Sequence, residues 1–205
     1  MTATKDNGAV GALHRPPWID RTADVATALR DRACLGALAR MGKRTAMCSH
    51  LIVHRTSLAA HGPDSPRPIA DDSLDAVGMA TGFATNSLLG TGQLVPYHLL
   101  ITRGGVAELS LPLASPGAHA GRAYNWRSIA VAVVGTGERC TSEQMISLVL
   151  VCIELRRRYP DALLRGHHKR GDVALHLPDD AAPGDATKLC PEPVVVMAEL
   201  LSALG

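Results

Sequence analysis

The stretch His50-Leu51-Ile52-Val53-His54-Arg55-Thr56 decides the fold that we expect, because it is a short apolar run bounded by histidines. As a β-strand, its two-residue period places His50, Ile52 and His54 on the same face. A second run, Ser128 to Val134, is almost entirely apolar, which is typical of a strand covered on both faces. Two strands of a largely buried sheet are therefore predicted.

Other strand and helix patterns alternate along the chain. Tyr97 to Thr102 and Val106 to Leu109 flank Arg103-Gly104-Gly105, which predicts a hairpin whose turn is supplied by glycine. Leu163-Leu164 predicts one more short strand. The alternation indicates an α/β fold, a single domain with a central mixed sheet flanked by helices.

Helices are predicted at four places. Thr22 to Met41 has apolar residues along one side, and Asp71 or Asp72 could cap a helix that runs to about Leu89. Thr141-Ser-Glu-Gln144 is a capping-box signature that opens a helix ending at Arg156 to Arg158. Pro193 to Leu204 is predicted to close the chain.

Length and composition limit the possible classes of protein. The 205 residues suffice for one sizeable core, so we divide the chain into an N-terminal arm and helix, residues 1–45, and one domain, residues 46–205. A net charge of +2 argues against a nucleic-acid partner. Residues 1–18 lack a signal-peptide pattern, and no run reaches membrane-spanning length, so we expect synthesis in the cytoplasm. We also expect a monomer.

Candidate metal ligands lie in three distant segments. His54 ends the first strand, His167-His168 follows Gly166, and Cys190 lies in Lys188-Leu-Cys190-Pro191. Two imidazoles and one thiolate form the ligand set of an open zinc site with a fourth position for water. Lys188 is close enough in sequence to Cys190 to stabilise a developing oxyanion there.

Several segments occur in the order found in one family, and together they span roughly residues 48–192. They are Leu51-Ile-Val-His54-Arg-Thr56, Tyr97-His98-Leu-Leu-Ile-Thr-Arg-Gly-Gly105, Gly117-Ala-His119-Ala120, Tyr124-Asn125-Trp-Arg-Ser128-Ile129, Leu164-Arg-Gly-His167-His168 and Lys188-Leu-Cys190-Pro191. The chain thereby resembles the zinc-dependent N-acetylmuramoyl-L-alanine amidases, whose fold is shared with peptidoglycan recognition proteins and phage amidase lysozymes.

The resemblance implies a role for each matching residue. His54, His167 and Cys190 would bind Zn²⁺, with His167 favoured over His168 because it follows Gly166 as in the family. Tyr97 and Lys188 would be the catalytic pair, and His119 and Asn125 would line the substrate groove. The substrate would be peptidoglycan, cut between N-acetylmuramic acid and L-alanine after release of the protein, either as a phage endolysin or as a secreted antibacterial effector.

Two departures from the family pattern stand out. Residues 130–134 carry no carboxylate, which makes the resemblance closer to the phage branch that relies on tyrosine and lysine. Arg170 to Ala182 is predicted to be an insertion between the last two ligands. Two alternatives stay open, a non-catalytic peptidoglycan-binding module and a zinc amidase that acts on another amide.

The remaining histidines and cysteines have less specific interpretations. His98 is expected to be structural, and His50 either lines the groove or lies on the surface. Cys152 is predicted to be a core residue of the helix that follows Thr141. The five cysteines contain no paired spacing, which favours free thiols in a reducing compartment.

Overall fold

Six strands and five helices make up the part of the chain that the computed structural model describes, residues 16–31, 41, 47–56, 74–85, 95–135, 139–167, 190–191 and 195–205. In chain order they are β1 (Ile19–Asp20), α1 (Thr22–Asp31), β2 (His50–Arg55), α2 (Ala76–Thr85), β3 (Leu99–Ile101), β4 (Ala107–Leu109), α3 (Gly121–Asn125), β5 (Ser128–Val133), α4 (Ser142–Arg158), β6 (Leu163–Gly166) and α5 (Met197–Leu204).

The strands form one mixed sheet in the order β1-β4-β3-β5-β2-β6. The β3–β4 pair is antiparallel and forms the predicted hairpin, whereas the other four pairs are parallel. Gly105 closes the hairpin with φ +78°, a conformation that L side chains rarely adopt. The predicted α/β fold with a central mixed sheet is therefore confirmed.

Helices cover both faces of this sheet. Leu51 and Val53 of β2 pack in one apolar cluster with residues of α4 and α5, among them Leu148 and Leu200. The opposite face includes Ala130 and Ala132 of β5, which pack with Met79 of α2. All six residues of β5 are buried between these layers, as the apolar run predicts.

Helix α4 begins with the capping box that the sequence indicates. The Thr141 side chain accepts from the backbone N–H of Gln144, and the Gln144 side chain accepts from the backbone N–H of Thr141. At the end of the helix Arg156, Arg157 and Arg158 are exposed to solvent, and the buried Glu154 carboxylate accepts hydrogen bonds from Arg157 and Arg158. Cys152 is buried in the core as predicted, and burial raises the pKa of its thiol to about 12.

Three predicted boundaries are wrong. Ile19–Asp20 is not part of a loose arm but a strand that pairs in parallel with β4. Helix α2 begins at Ala76, after the non-helical residues 74–75, and not directly after Asp71 or Asp72, and the Asp75 carboxylate accepts from the backbone N–H of Gly78 at 2.6 Å. Helix α5 begins at Met197, after the non-helical residues 195–196, and not at Pro193.

The N-terminal elements are attached to the rest of the fold by packing and by one carboxylate. Val25 and Leu29 of α1 pack against Ala80 and Leu111. Buried Glu108 of β4 accepts hydrogen bonds from the Arg21 side chain at 3.3 Å and from the backbone N–H of Ala76 at 2.8 Å.

The division of the chain into two parts at residue 45 stays a prediction. Among the described residues, no helix is both long and apolar enough to cross a membrane.

Candidate metal centre

The parallel pairing of β2 and β6 brings two of the predicted ligands together. Val53 of β2 pairs with Gly166 of β6. His54 and His167, the next residue in each case, therefore lie side by side. The backbone N–H of His167 continues the ladder by donating to the carbonyl of Val53 at 3.2 Å. The two imidazole rings consequently lie with their centroids 4.5 Å apart.

Cys190 reaches the same place from a distant segment. Its Sγ lies 3.8 Å from Nδ1 of His54 and accepts a hydrogen bond from the backbone N–H of Arg55 at 3.4 Å. One ligand atom from each of His54, His167 and Cys190 lies within 4.8 Å of the others. Ligand atoms of a tetrahedral zinc site are separated by roughly 3.3–3.6 Å, so small side-chain adjustments would close this set around the ion.

The chemistry of these donors fits zinc. His54 is buried, and the other two residues are partly exposed. Burial raises the pKa of the Cys190 thiol to about 11, while the Arg55 backbone N–H and the positive charge of Arg55 act in the opposite direction. A cation that binds the thiolate would overcome this cost of burial and release the proton. His168 lies outside the described residues.

Tyr97 lies beside His54, one of the candidate metal ligands. Its ring is buried, with its centroid 5.1 Å from that of His54. Burial raises the pKa of the Tyr97 phenol, and the nearby Cys190 raises it further. Tyr97 therefore keeps its proton at neutral pH and can act as a hydrogen-bond donor. Lys188, the other predicted catalytic residue, lies outside the described residues.

His119 and Asn125 lie on the side of His54 away from Cys190. Nδ1 of His119 is 3.0 Å from Nε2 of His54. The side-chain amide oxygen Oδ1 of Asn125 accepts from the backbone N–H groups of His119 and Ala120 at 3.0 and 2.9 Å, and so fixes the loop that presents His119. Their predicted contact with substrate stays a prediction.

Ser128 is a residue of this site to which the sequence analysis gave no role. Its hydroxyl lies 3.1 Å from Nε2 of His119 and donates to the carbonyl of Tyr124 at 2.7 Å. The spacing of Tyr124 and Ser128, one helical turn apart, is the only local signal for this contact. The link from Ser128 to His119 depends on tertiary structure, which explains why the pattern of residues does not reveal it.

Two further histidines have different environments. His98 is buried and structural as predicted, since Nε2 lies 2.9 Å from the carbonyl of Ser115 and Nδ1 accepts from the backbone N–H of Ala130. His50 is partly buried, with its ring edge-on to Tyr124 at a centroid distance of 5.0 Å. Burial lowers the pKa of His50, and the charges of Arg127 and Arg165 lower it further.

Comparison with known families agrees with this geometry. The family model described as N-acetylmuramoyl-L-alanine amidase matches residues 43–193, which include all three candidate ligands. The chain belongs to this amidase family. The predicted family resemblance is thus confirmed.

Two curated relatives of the amidase-family chain are phage proteins. The endolysin of Escherichia phage T7 is 35% identical over 82 residues, which are 37% of this chain and 54% of that protein. The endolysin of Enterobacteria phage K11 is 36% identical over 87 residues, 39% of this chain and 55% of that protein. The chain thus spans about half the length of the curated relatives that it matches.

Solved structures share the fold of the amidase-family chain at low sequence identity. The N-acetylmuramoyl-L-alanine amidase LysC from Clostridium intestinale URNW has a TM-score of 0.54 and 18% identity, covering 80% of this chain and 87% of its own. The Ph2119 endolysin from Thermus scotoductus MAT2119 bacteriophage Ph2119 has a TM-score of 0.53 and 16% identity, covering 91% and 98%. These similarities establish the architecture of the domain.

Proposed function

We propose that this amidase-family chain is a zinc-dependent peptidoglycan hydrolase that cuts the amide bond between N-acetylmuramic acid and the L-alanine of the stem peptide. The observation that carries the proposal is the convergence of His54, His167 and Cys190 within 4.8 Å, inside the segment that matches the family. Two imidazoles and a thiolate with an open fourth position are typical of a catalytic zinc site.

His54, His167 and Cys190 would hold the ion at the carboxyl ends of β2 and β6. Zinc bound there would polarise the scissile carbonyl and bring the pKa of a water molecule close to neutrality. The partial burial of the ligands limits the access of bulk water, which strengthens electrostatic interactions at the site. Binding of peptidoglycan would then place the amide beside Tyr97.

Tyr97 would orient the reacting groups through its phenol. Its raised pKa keeps the proton on the oxygen, so it can donate a hydrogen bond to the carbonyl oxygen as negative charge develops. Lys188 would add positive charge to the same oxyanion, a role that rests on the family resemblance and on its position two residues before Cys190. The ammonium group of Lys188 could then protonate the leaving amine and regain a proton from the attacking water, so that no net proton is consumed.

The names of the two phage relatives support a role in cell-wall degradation. Both are named endolysins, and peptidoglycan lies outside the cytoplasm in which a protein is made. We therefore infer that this protein acts on the cell wall after release, through phage lysis or secretion. The predicted insertion, Arg170 to Ala182, would influence its substrate preference or affinity.

Zinc titration of the metal-depleted protein tests the proposal. Digestion of purified sacculi should be absent after chelation and should rise with added zinc to a plateau at about one ion per chain. Magnesium at the same concentration is the control, because a site with two imidazoles and a thiolate discriminates against an ion that prefers oxygen ligands. Full activity without any bound metal would contradict the proposal.

A further inference from the structure

A continuous chain of hydrogen bonds links the metal ligand His54 to the backbone beyond the site. Nε2 of His54 lies 3.0 Å from Nδ1 of His119, and Nε2 of His119 lies 3.1 Å from the hydroxyl of Ser128. Ser128 in turn lies 2.7 Å from the carbonyl oxygen of Tyr124. The three side chains are buried, so their polar atoms form hydrogen bonds within the protein and not with bulk water.

The last contact sets the direction of the whole chain. The carbonyl oxygen of Tyr124 can only accept, and two oxygens at 2.7 Å would repel without a hydrogen between them, so the Ser128 hydrogen lies there. The Ser128 oxygen consequently accepts from Nε2–H of His119. A neutral imidazole carries one N–H, which leaves Nδ1 of His119 as the acceptor for Nε2–H of His54.

The result is a defined tautomer of the ligand. With its hydrogen on Nε2, neutral His54 has its lone pair on Nδ1, the atom that lies 3.8 Å from Sγ of Cys190. Reversing the chain would place a hydrogen on Nδ1 and block the nitrogen that faces the other ligands. Partners of this kind commonly fix the tautomer and the ring orientation of histidines that bind metals.

We propose that Ser128 and His119 are positioning residues that hold His54 as its Nε2–H tautomer and present Nδ1 to the metal. The inference rests on the proposed zinc site and gives His119 a role other than contact with the substrate. The surrounding backbone supports this arrangement, because Asn125 binds the N–H groups of His119 and Ala120 and so keeps the second imidazole in place.

The tautomer can be observed directly in the absence of metal. Long-range ¹H–¹⁵N correlation spectra of chelator-treated protein labelled at histidine distinguish Nε2–H from Nδ1–H rings. We expect His54 and His119 to be Nε2–H tautomers in the metal-free protein, and His54 to keep this tautomer when zinc is added. A His54 ring that carries its hydrogen on Nδ1 in the metal-free wild type would overturn the inference.

Matched variants test the effect on the metal. Ser128→Ala and His119→Phe remove links of the chain and should weaken zinc binding about 10- to 100-fold, as loss of such partners usually does. His119→Gln keeps one acceptor and one donor and should restore most of the affinity. Ser110→Ala is the control, because Ser110 is an equally buried serine that donates to the carbonyl of Tyr97 outside the chain of hydrogen bonds.

The outcomes separate this inference from the proposed function. Unchanged zinc affinity and an unchanged His54 tautomer in both Ser128→Ala and His119→Phe, each folded by circular dichroism, would overturn the positioning role while leaving the zinc amidase intact. A wild type that shows the Nε2–H tautomer but binds no zinc would instead defeat the proposed function. Weaker zinc binding in Ser128→Ala, together with rescue in His119→Gln, would support the inference.

Discussion

Single residues carry most of the chemistry of the metal centre. Among the proposed ligands, the Cys190 thiol would have to lose a proton to bind zinc, and burial raises its pKa to about 11. Its backbone donor, the N–H of Arg55, follows His54 in β2, so the end of one strand positions two of the three proposed ligands. Removal of the Cys190 thiol or of the His54 imidazole should leave the fold intact but abolish binding of the metal.

Cys190→Ala and His54→Ala should each reduce zinc from about one ion per chain to a small fraction, because loss of one of three protein ligands usually abolishes tight binding. The measurement is elemental analysis of dialysed protein. Cys152→Ala is the control, since it removes a buried core thiol that is not a proposed ligand and should keep the zinc. Full zinc content in Cys190→Ala would refute this ligand set.

His50 should make the stability of the protein depend on pH. Its pKa lies below the ordinary 6.5 in the folded state, so folding favours the neutral ring. The corresponding stabilisation is present above about pH 6.5 and is lost as the pH falls through the folded pKa. Urea unfolding of wild type and His50→Gln between pH 8 and pH 5 should show a steeper loss of unfolding free energy in the wild type. Parallel curves would contradict the assigned environment.

At the scale of elements, the sequence predicts what depends on local pattern. The buried strand β5, the hairpin turn at Gly105 and the capping box of α4 follow from residue spacing alone, and the structure confirms them. The short strand β1 and the buried carboxylate of Glu108 were missed. Both depend on partners far away in the chain, which no local period encodes.

The metal centre shows the same limit. The family resemblance predicts His54, His167 and Cys190, and the structure places them together. It does not predict the hydrogen bonds from His54 through His119 to Ser128, because these link loops and strands that are separate in sequence. Lys188 and the segment 170–182 lie outside the described residues, so their predicted roles stay predictions.

The adjacent glycines of the hairpin turn, Gly104 and Gly105, allow a matched test of backbone strain. Gly105→Ala should destabilise the protein by roughly 1–3 kcal/mol, because φ is +78° and the new Cβ would lie 2.6 Å from Cβ of Glu143 in α4. Gly104→Ala is the matched control, since nothing lies within 4 Å of a Cβ there. Denaturant unfolding would measure both, and equal stability of the two variants would contradict this account of the turn.

At the scale of the whole molecule, the parallel strands β2 and β6 of the mixed sheet bring two of the candidate ligands together at their carboxyl ends. β2 lies between β5 and β6, and its pairing with β6 places His54 next to His167. The apolar cluster of α4 and α5 packs under these strands and keeps their ends in register. The backbone positions of His54 and His167 should therefore be set before metal or substrate arrives, which limits the reorganisation that catalysis requires.

Catalysis and binding can be separated by altering the two groups beside the metal. Tyr97→Phe and Lys188→Ala should lower kcat about 10²–10³-fold, while calorimetry should show a much smaller change in affinity for a soluble muropeptide. Zinc content should stay near one ion per chain, because neither side chain is a proposed ligand. A loss of affinity as large as the loss of turnover would assign both residues to substrate binding instead.

Mass spectrometry of the products released from purified sacculi tests the central claim most directly. The account predicts stem peptides with a free N-terminal L-alanine and glycan strands with a free lactyl carboxylate, released by the zinc-loaded wild type and absent with Cys190→Ala. Wild-type protein that carries zinc and binds muropeptide, yet releases no peptide over hours, would contradict the claim and favour a peptidoglycan-binding module.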